Sequence, residues 1–436
     1  MPPLMLTKVH IDLPRPRLKE IASTVRSQLE SIDLALSTSP KIAVAVGSRG
    51  IANLSTIVRA TIEQLKAQGA QPFIVPAMGS HGGATAEGQR EVLDSYSINQ
   101  TTMRCPVLSS MEVIELDLTG LPNPAFMDRH AYAADGIILI NRIKPHTDFH
   151  GPYESGLIKM AVIGLGKEKQ AFEMHRHGVY GLKELIPKTA ERIFNIGKIK
   201  AGIGIIENAY DETAKIEVLP GSEIMQREPE LLKEAYANMP RLPVDDIDIL
   251  SVDLLGKDIS GTGLDTNVIG RIRIPTEPEP SCPRIKAIWV SDLTSDSHGN
   301  ATGMGLADVV TELFRSRVDF DATYTNIVTS GFLERAKFPI VAPSDRAAFE
   351  LCHRSAGSIP MDELRVIRIR DTLHVNEPYV SDAILKEIKP QPNVSILGPA
   401  QEAFDQDGRS TPFEAVERDS VEPLLSKSKA GNHQRH

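Results

Sequence analysis

The residues best suited to chemistry in this 436-residue chain are concentrated in one stretch. Four of its 12 histidines, His146, His150, His175 and His177, fall within 32 residues, where an even spread would place about one. Between them lies Lys159, flanked by Gly156, Leu157, Ile158 and Met160. That apolar setting can desolvate an amine and weaken its hold on a proton. Imidazole is a nitrogen ligand for nickel, zinc or copper, and also a base near neutral pH, so the stretch suits metal or proton-transfer chemistry. Two shorter segments add to it: Gly47-Ser48-Arg49-Gly50 and Gly79-Ser80-His81-Gly82-Gly83. Their glycines let backbone approach a ligand closely, a following helix N-terminus favours an anion, and Arg49 can clamp a carboxylate or phosphate.

Common templates do not absorb these residues. His146 and His150 have the i, i+4 spacing of a zinc helix, but Pro145, Gly151 and Pro152 oppose a helix there, and HExxH is absent. Gly164-Leu-Gly166-Lys167 ends like a P-loop, yet Glu168 stands where a hydroxyl is needed and Ala161 where the first glycine belongs. Gly261-Thr-Gly263 lacks the third glycine of a dinucleotide fingerprint, and there is no GxSxG. Cys105, Cys282 and Cys352 are too dispersed for a disulfide framework or a CxxC knuckle.

The elements that must position these residues are readable from apolar periodicity. Lys41-Ile-Ala-Val-Ala-Val46, Gln71-Pro-Phe-Ile-Val-Pro76, Gly136-Ile-Ile-Leu-Ile140, Ala201-Gly-Ile-Gly-Ile-Ile206 and Ile247-Asp-Ile-Leu-Ser-Val252 read as buried strands. Helices are expected after Asn53, which reads as an N-cap, and over 84–95. Strand, Gly/Ser loop and helix in alternation predict an α/β fold with a mostly parallel sheet flanked by helices. Pro275-Thr-Glu-Pro-Glu-Pro-Ser-Cys-Pro283 can be neither helix nor central strand and reads as a linker. Beyond it, strands are expected at 285–291 and 364–369, with helices at 304–318 and 344–355. The expected organisation is thus an N-terminal catalytic domain over 1–274, the linker 275–283, a second α/β domain over 284–403 and a loosely ordered polar tail over 404–436, either disordered or packed back on the N-terminal domain. The site belongs in the cleft between the domains.

Composition narrows the function. A hydrophobic share of 41% suits a globular chain, and no apolar run approaches the roughly 20 residues of a membrane span. With 48 basic against 57 acidic side chains, nucleic acid is not an expected partner, nor is a membrane. Prolines and charges in the opening residues, together with few cysteines, lead us to expect a cytoplasmic protein.

Taken in order, Ser48-Arg49, Gly79-Ser80-His81, Pro145-His146, Ser155-Gly-Leu-Ile-Lys159 and Met174-His175 resemble the functional series of the nickel-pincer-nucleotide lactate racemase family. The resemblance covers roughly residues 40 to 275. It implies racemisation or epimerisation of an α-hydroxy acid by hydride transfer to and from a nickel-pincer nucleotide (pyridinium-3,5-bisthiocarboxylic acid mononucleotide with nickel). It implies Lys159 as the tether, His175 as the nickel ligand, His81 and His146 as the acid/base pair, and Arg49 on the substrate carboxylate. Ser48, Gly79, Gly261, Asn267 and Arg271 are the further cofactor contacts, with Asn267 and Arg271 nearest to the family's late Gln and Lys. Cofactor-synthesis and delivery proteins are implied as partners, and an oligomer is possible.

The sequence departs from the family pattern at several points. Val46 stands where the family usually has an aspartate, and Trp289, on an expected strand, is the only tryptophan. The longer interval from Pro-His to lysine makes His150 a competitor of His146, and His177 competes with His175. Two other functions use the same residues: a zinc-dependent lyase or hydrolase, and a non-enzymatic protein that binds an anionic metabolite.

Overall fold

The structure is a computed structural model describing residues 2–34, 38–47, 50–118 and 120–413. It contains two α/β units, each built on its own sheet. The first strand, β1 (Met5–Ile11), is set aside for the second sheet. The chain then lays down β2 (Lys41–Val46) and β3 (Gln71–Pro76), followed by a separate antiparallel hairpin of β4 (Val113–Leu116) and β5 (Ala125–Asp128). Next come β6 (Gly136–Arg142), β7 (Ile199–Glu207) and β8 (Thr213–Pro220). The first sheet has the order β3-β2-β6-β7-β8, parallel except for the β7–β8 pair.

Both faces of this sheet are covered, which is why its strands are continuous apolar runs rather than alternating ones. Ile42, Val44, Ile138 and Ile140 point into one core, and Ala43, Ala45, Ile137 and Leu139 into the other.

The second sheet takes β9 (Asp246–Leu255), β10 (Arg284–Leu293), β11 (Val309–Thr311), β12 (Ile340–Ala342), β13 (Val366–Ile369), β14 (Tyr379–Val380), β15 (Val394–Ile396) and β16 (Gln401–Glu402). Its order is β12-β11-β10-β9-β13-β14-β1-β15, with β16 also on β1. It is parallel from β12 to β13 and antiparallel beyond.

Three expectations are revised by this topology. The division at 274/275 falls inside the second unit, because β9 lies before the proline-rich segment and pairs with β10 after it. Segment 275–283 therefore joins neighbouring strands of one sheet, and the chain crosses between units through 12–20 and 238–245. The helix expected over 304–318 is instead a short turn at Met304–Leu306, strand β11 and the helix Glu312–Arg317. Val309, Val310 and Thr311 are β-branched and favour a strand, and the Thr311 side chain caps the helix by accepting from the Phe314 N–H. The stretch from 404 to 413 is not loose: Phe404 is buried, packing near Trp289 and Phe349. Residues 414–436 lie outside the described residues.

Candidate active site

Strand order in the first sheet reverses between β2 and β6: β3 lies beyond β2 on one side, and β7 and β8 beyond β6 on the other. At such a reversal the loops leave in opposite directions and open a crevice at the carboxyl ends of the strands. Here Gly47 ends β2, and a Cβ on it would overlap the Asn141 side chain at the end of β6. A cavity of about 230 Å³ opens there, lined among others by His81, Asn141, Lys144, Lys159 and Gly164.

The loop after β6 is closed at its base by paired backbone bonds, Lys144 N–H to Ser155 O at 2.8 Å and Ser155 N–H to Lys144 O at 3.2 Å. Inside it, the buried Glu154 carboxylate accepts from the N–H groups of His146 (2.6 Å) and Gly151 (3.0 Å) and from the Tyr236 hydroxyl (2.9 Å). The chain then turns at Gly156 into the helix Leu157–Lys159, continued by the wider turns Met160–Gly164. Glu228 Oε2 accepts from the first N–H groups of that helix, Leu157 (2.7 Å) and Ile158 (3.1 Å). Lys159, the third residue of that helix, is thereby held directly after the two capped N–H groups.

Lys159 Nζ lies 2.7 Å from His146 Nε2. The other ring nitrogen, Nδ1, accepts the Asp148 N–H at 3.1 Å. A neutral imidazole carries one proton, so that proton sits on Nε2, and the lysine must accept it with a lone pair. The contact therefore requires an uncharged amine. Burial acts in the same direction on both partners: it pushes the Lys159 amine down, and it pushes His146 down to about 3 with the lysine as the second cause. Asp148 opposes both shifts.

His175 ends the helix Lys167–His175 and interacts electrostatically with Lys159, Asp148 and His146. Its Nδ1 donates to Ala171 O at 2.6 Å, which leaves the Nε2 lone pair available to a ligand. Burial lowers its proton affinity as well.

Of Lys159, His146 and His175 only the lysine lines the cavity, and the other expected residues divide between this crevice and elsewhere. His81 lines the cavity from the loop after β3, where Gly79 adopts a left-handed backbone (φ +63°) close to Ile163. Ser48 and Arg49 lie outside the described residues. His150 does not line the cavity: its Nδ1 is 2.6 Å from the Tyr236 hydroxyl, so it braces the loop. His177 is exposed and faces a different groove beside Tyr180 and Phe332. Asn267, in the second unit, donates to His146 O at 3.2 Å. Arg271 is committed to Leu306 O and Asp308, and Gly261 accepts from Lys257; neither is brought to the crevice.

The cavity lining comes from the first unit alone, and the second unit touches the His146 loop from behind. There Thr266 Oγ1 donates to Thr147 O (2.7 Å), and Arg335 binds Thr147 O and Asp148. Asn141, Asp148, Glu154, Glu228 and Arg335 were not anticipated. Only Glu228 left a sequence signal: it occupies an apolar-face position among Ile224, Leu231, Leu232 and Ala235.

Among the described residues, no group of three or more His, Cys, Asp or Glu could hold a metal ion by itself. No protein-family model matches the sequence, and no curated protein matches it. Among solved structures, the lactate racemase apoprotein from Thermoanaerobacterium thermosaccharolyticum is similar in fold, with a TM-score of 0.51 at 12% sequence identity. The match covers 85% of this chain and 99% of that one.

Proposed function

We propose that this protein racemises or epimerises an α-hydroxy acid with a nickel-pincer nucleotide attached to Lys159. The observation that carries the reading is the 2.7 Å contact between Lys159 and His146, in a ring tautomer that demands an uncharged amine at the crevice. An uncharged amine can be acylated; an ammonium cannot. The fold similarity to a lactate racemase supports the same reading.

The donor set fits the group. Lys159 would hold the group and His175, through its Nε2, would be the one protein ligand to nickel, the other donors belonging to the nucleotide itself. A zinc lyase or hydrolase would need three protein ligands, which the described residues do not group together. When bound, the nucleotide supplies a reversible hydride acceptor for the substrate α-carbon.

The remaining work falls to the chain's own side chains. His81, on the crevice wall, and His146, beside Lys159, take and return the substrate hydroxyl proton on their respective sides. Arg49 would hold the substrate carboxylate with its forked donors.

The test is to purify the protein from cells that make the cofactor, then measure bound nickel and intact mass. We expect nickel and a mass increase that both disappear in Lys159→Ala. Absence of both, under conditions that load a lactate racemase, would overturn the reading. Binding of an anionic metabolite without turnover, unaffected by His81→Ala plus His146→Ala, would point to the non-enzymatic function.

A further inference from the structure

The motif that ends like a P-loop, Gly164-Leu-Gly166-Lys167, has a different use in the fold. Lys167 is fully buried, and so are Gln89 and Asp128, the two side chains it meets. An ammonium has three protons to place. Lys167 Nζ directs them to the Pro76 carbonyl, to Gln89 Oε1 at 3.0 Å and to Asp128 Oδ2 at 3.2 Å. Asp128 is fixed in turn, because its Oδ1 accepts from the N–H groups of His130 (2.8 Å) and Ala131 (2.9 Å). The lysine backbone is left-handed (φ +58°), a conformation that a residue with a Cβ seldom adopts, so its surroundings hold it there.

Gln89 belongs to the helix Ala86–Ser95, which follows the loop carrying His81. A lysine can only donate, so the Gln89 amide oxygen must face Lys167 and the amide nitrogen must face the other way. That nitrogen donates to Gly79 O at 2.8 Å and to His81 O at 3.2 Å. Together with Pro76, three carbonyls at the end of β3 and in its loop are thus bound by one buried pair of side chains. The loop needs such a clamp, since Gly79, Gly82 and Gly83 leave its backbone free to take other shapes. His81 is exposed at the cavity wall, so its ring goes where its backbone goes. We propose that Gln89 and Lys167 are positioning residues: the buried amide, anchored by the buried lysine, holds His81 in place on the crevice wall.

The same lysine opens the helix that ends at His175, in the stretch of chain that begins with Lys159. One buried side chain therefore ties the His81 loop to the segment that carries both Lys159 and His175. Losing the amide donor would leave the Gly79 and His81 carbonyls unpaired, and the loop would have to move to find water for them. The inference rests on His81 as one of the acid/base pair, but the hold on its loop can be measured without nickel or nucleotide.

Gln89→Glu keeps the side-chain volume and an oxygen for Lys167 but removes the donor to Gly79 O and His81 O. In the cofactor-free full chain, amide hydrogen exchange over 77–85 should rise about tenfold, while β2 and β6 exchange as in the wild type. In the loaded enzyme, kcat should fall about a hundredfold, the cost of about 1 Å of misplacement, at unchanged KM and nickel content. In a His81→Ala background the same substitution should cost nothing further, because an effect exerted through His81 disappears with it. Lys167→Met combined with Asp128→Asn, which removes the ion pair without stranding a charge, should loosen the same segment. Should Gln89→Glu fail to fold, Gln89→Met must show the same local rise in exchange. Wild-type exchange over 77–85 in the Gln89 variants, or a loss of kcat that persists in His81→Ala, would overturn the proposal. If the wild type shows no turnover while the variants loosen 77–85, the racemase reading fails and the hold on His81 stands.

Discussion

Both sheets of this protein reverse their strand order, yet the two reversals end differently. In the first sheet, between β2 and β6, Gly47 and Gly156 contribute no side-chain volume and a cavity of about 230 Å³ remains. In the second, between β9 and β13, the space near the carboxyl ends is filled. Arg368 makes a two-pronged pair with Asp253 (2.8 and 2.6 Å), and its guanidinium lies against the rings of Tyr379 and Phe413. Architecture offers two crevices, and side-chain volume decides which one can hold a ligand. Two acids differ in parallel: the half-buried Asp253 has an arginine, whereas the buried Glu228 beneath the open crevice has two backbone N–H groups.

The contrast breaks most completely at Lys159. Lys159→Ala should remove the covalent adduct and all turnover while leaving the fold intact, as read by intact mass, racemisation assay and circular dichroism; persistent turnover would move the chemistry elsewhere. The next largest effect belongs to the closed crevice. Arg368→Met leaves the half-buried Asp253 without its partner and should cost about 1–3 kcal/mol in urea unfolding. Lys159 acetylation by acetic anhydride in the surviving folded protein should be unchanged, and a change there would show that the two crevices are not independent.

Glu228 sharpens the comparison through pH. Burial pushes its carboxyl up to about 7 from an ordinary 4.5, against the opposing bonds from Ile158 and Leu157. The folded value is the higher one, so its contribution to stability is full below about 4.5 and is lost as pH rises through about 7. The loss amounts to about 3 kcal/mol at most. Glu228→Gln should flatten this part of the stability profile, and an identical profile would refute the assignment. Smallest is Gly47→Ala, whose methyl would overlap Asn141; overpacking of this kind should cost about 1–3 kcal/mol and narrow the open crevice. Thermal unfolding with and without an α-hydroxy acid would measure both consequences.

Much of the first unit is legible in one dimension. Apolar runs such as Gly136-Ile-Ile-Leu-Ile140 announce strands covered on both faces, and the loops that follow them announce where ligands can approach. Limits appeared where identity depends on a distant partner. His146 and His150 are equivalent in the sequence, four residues apart on one loop. They separate only because Lys159 meets the first and Tyr236, from a helix some 86 residues on, takes the second. His175 and His177 divide in the same way, at the end of a helix where two residues turn through about 200°.

The domain boundary was hidden for a related reason. Proline-rich composition marks a break in regular structure, but not whether the strands on either side pair with each other. Ile247 and Ile285 do, in register, and this places 275–283 within one unit.

By itself, then, the order of residues determined the α/β class, the four parallel strands of the first sheet and the segment in which chemistry is concentrated, because periodicity and turn chemistry are local properties. Tertiary structure alone decided which histidine meets the lysine, which crevice stays open and that Arg335 reaches Asp148 from the other unit. Those outcomes depend on packing volume and on charges brought together across more than a hundred residues of chain, and no local pattern encodes them.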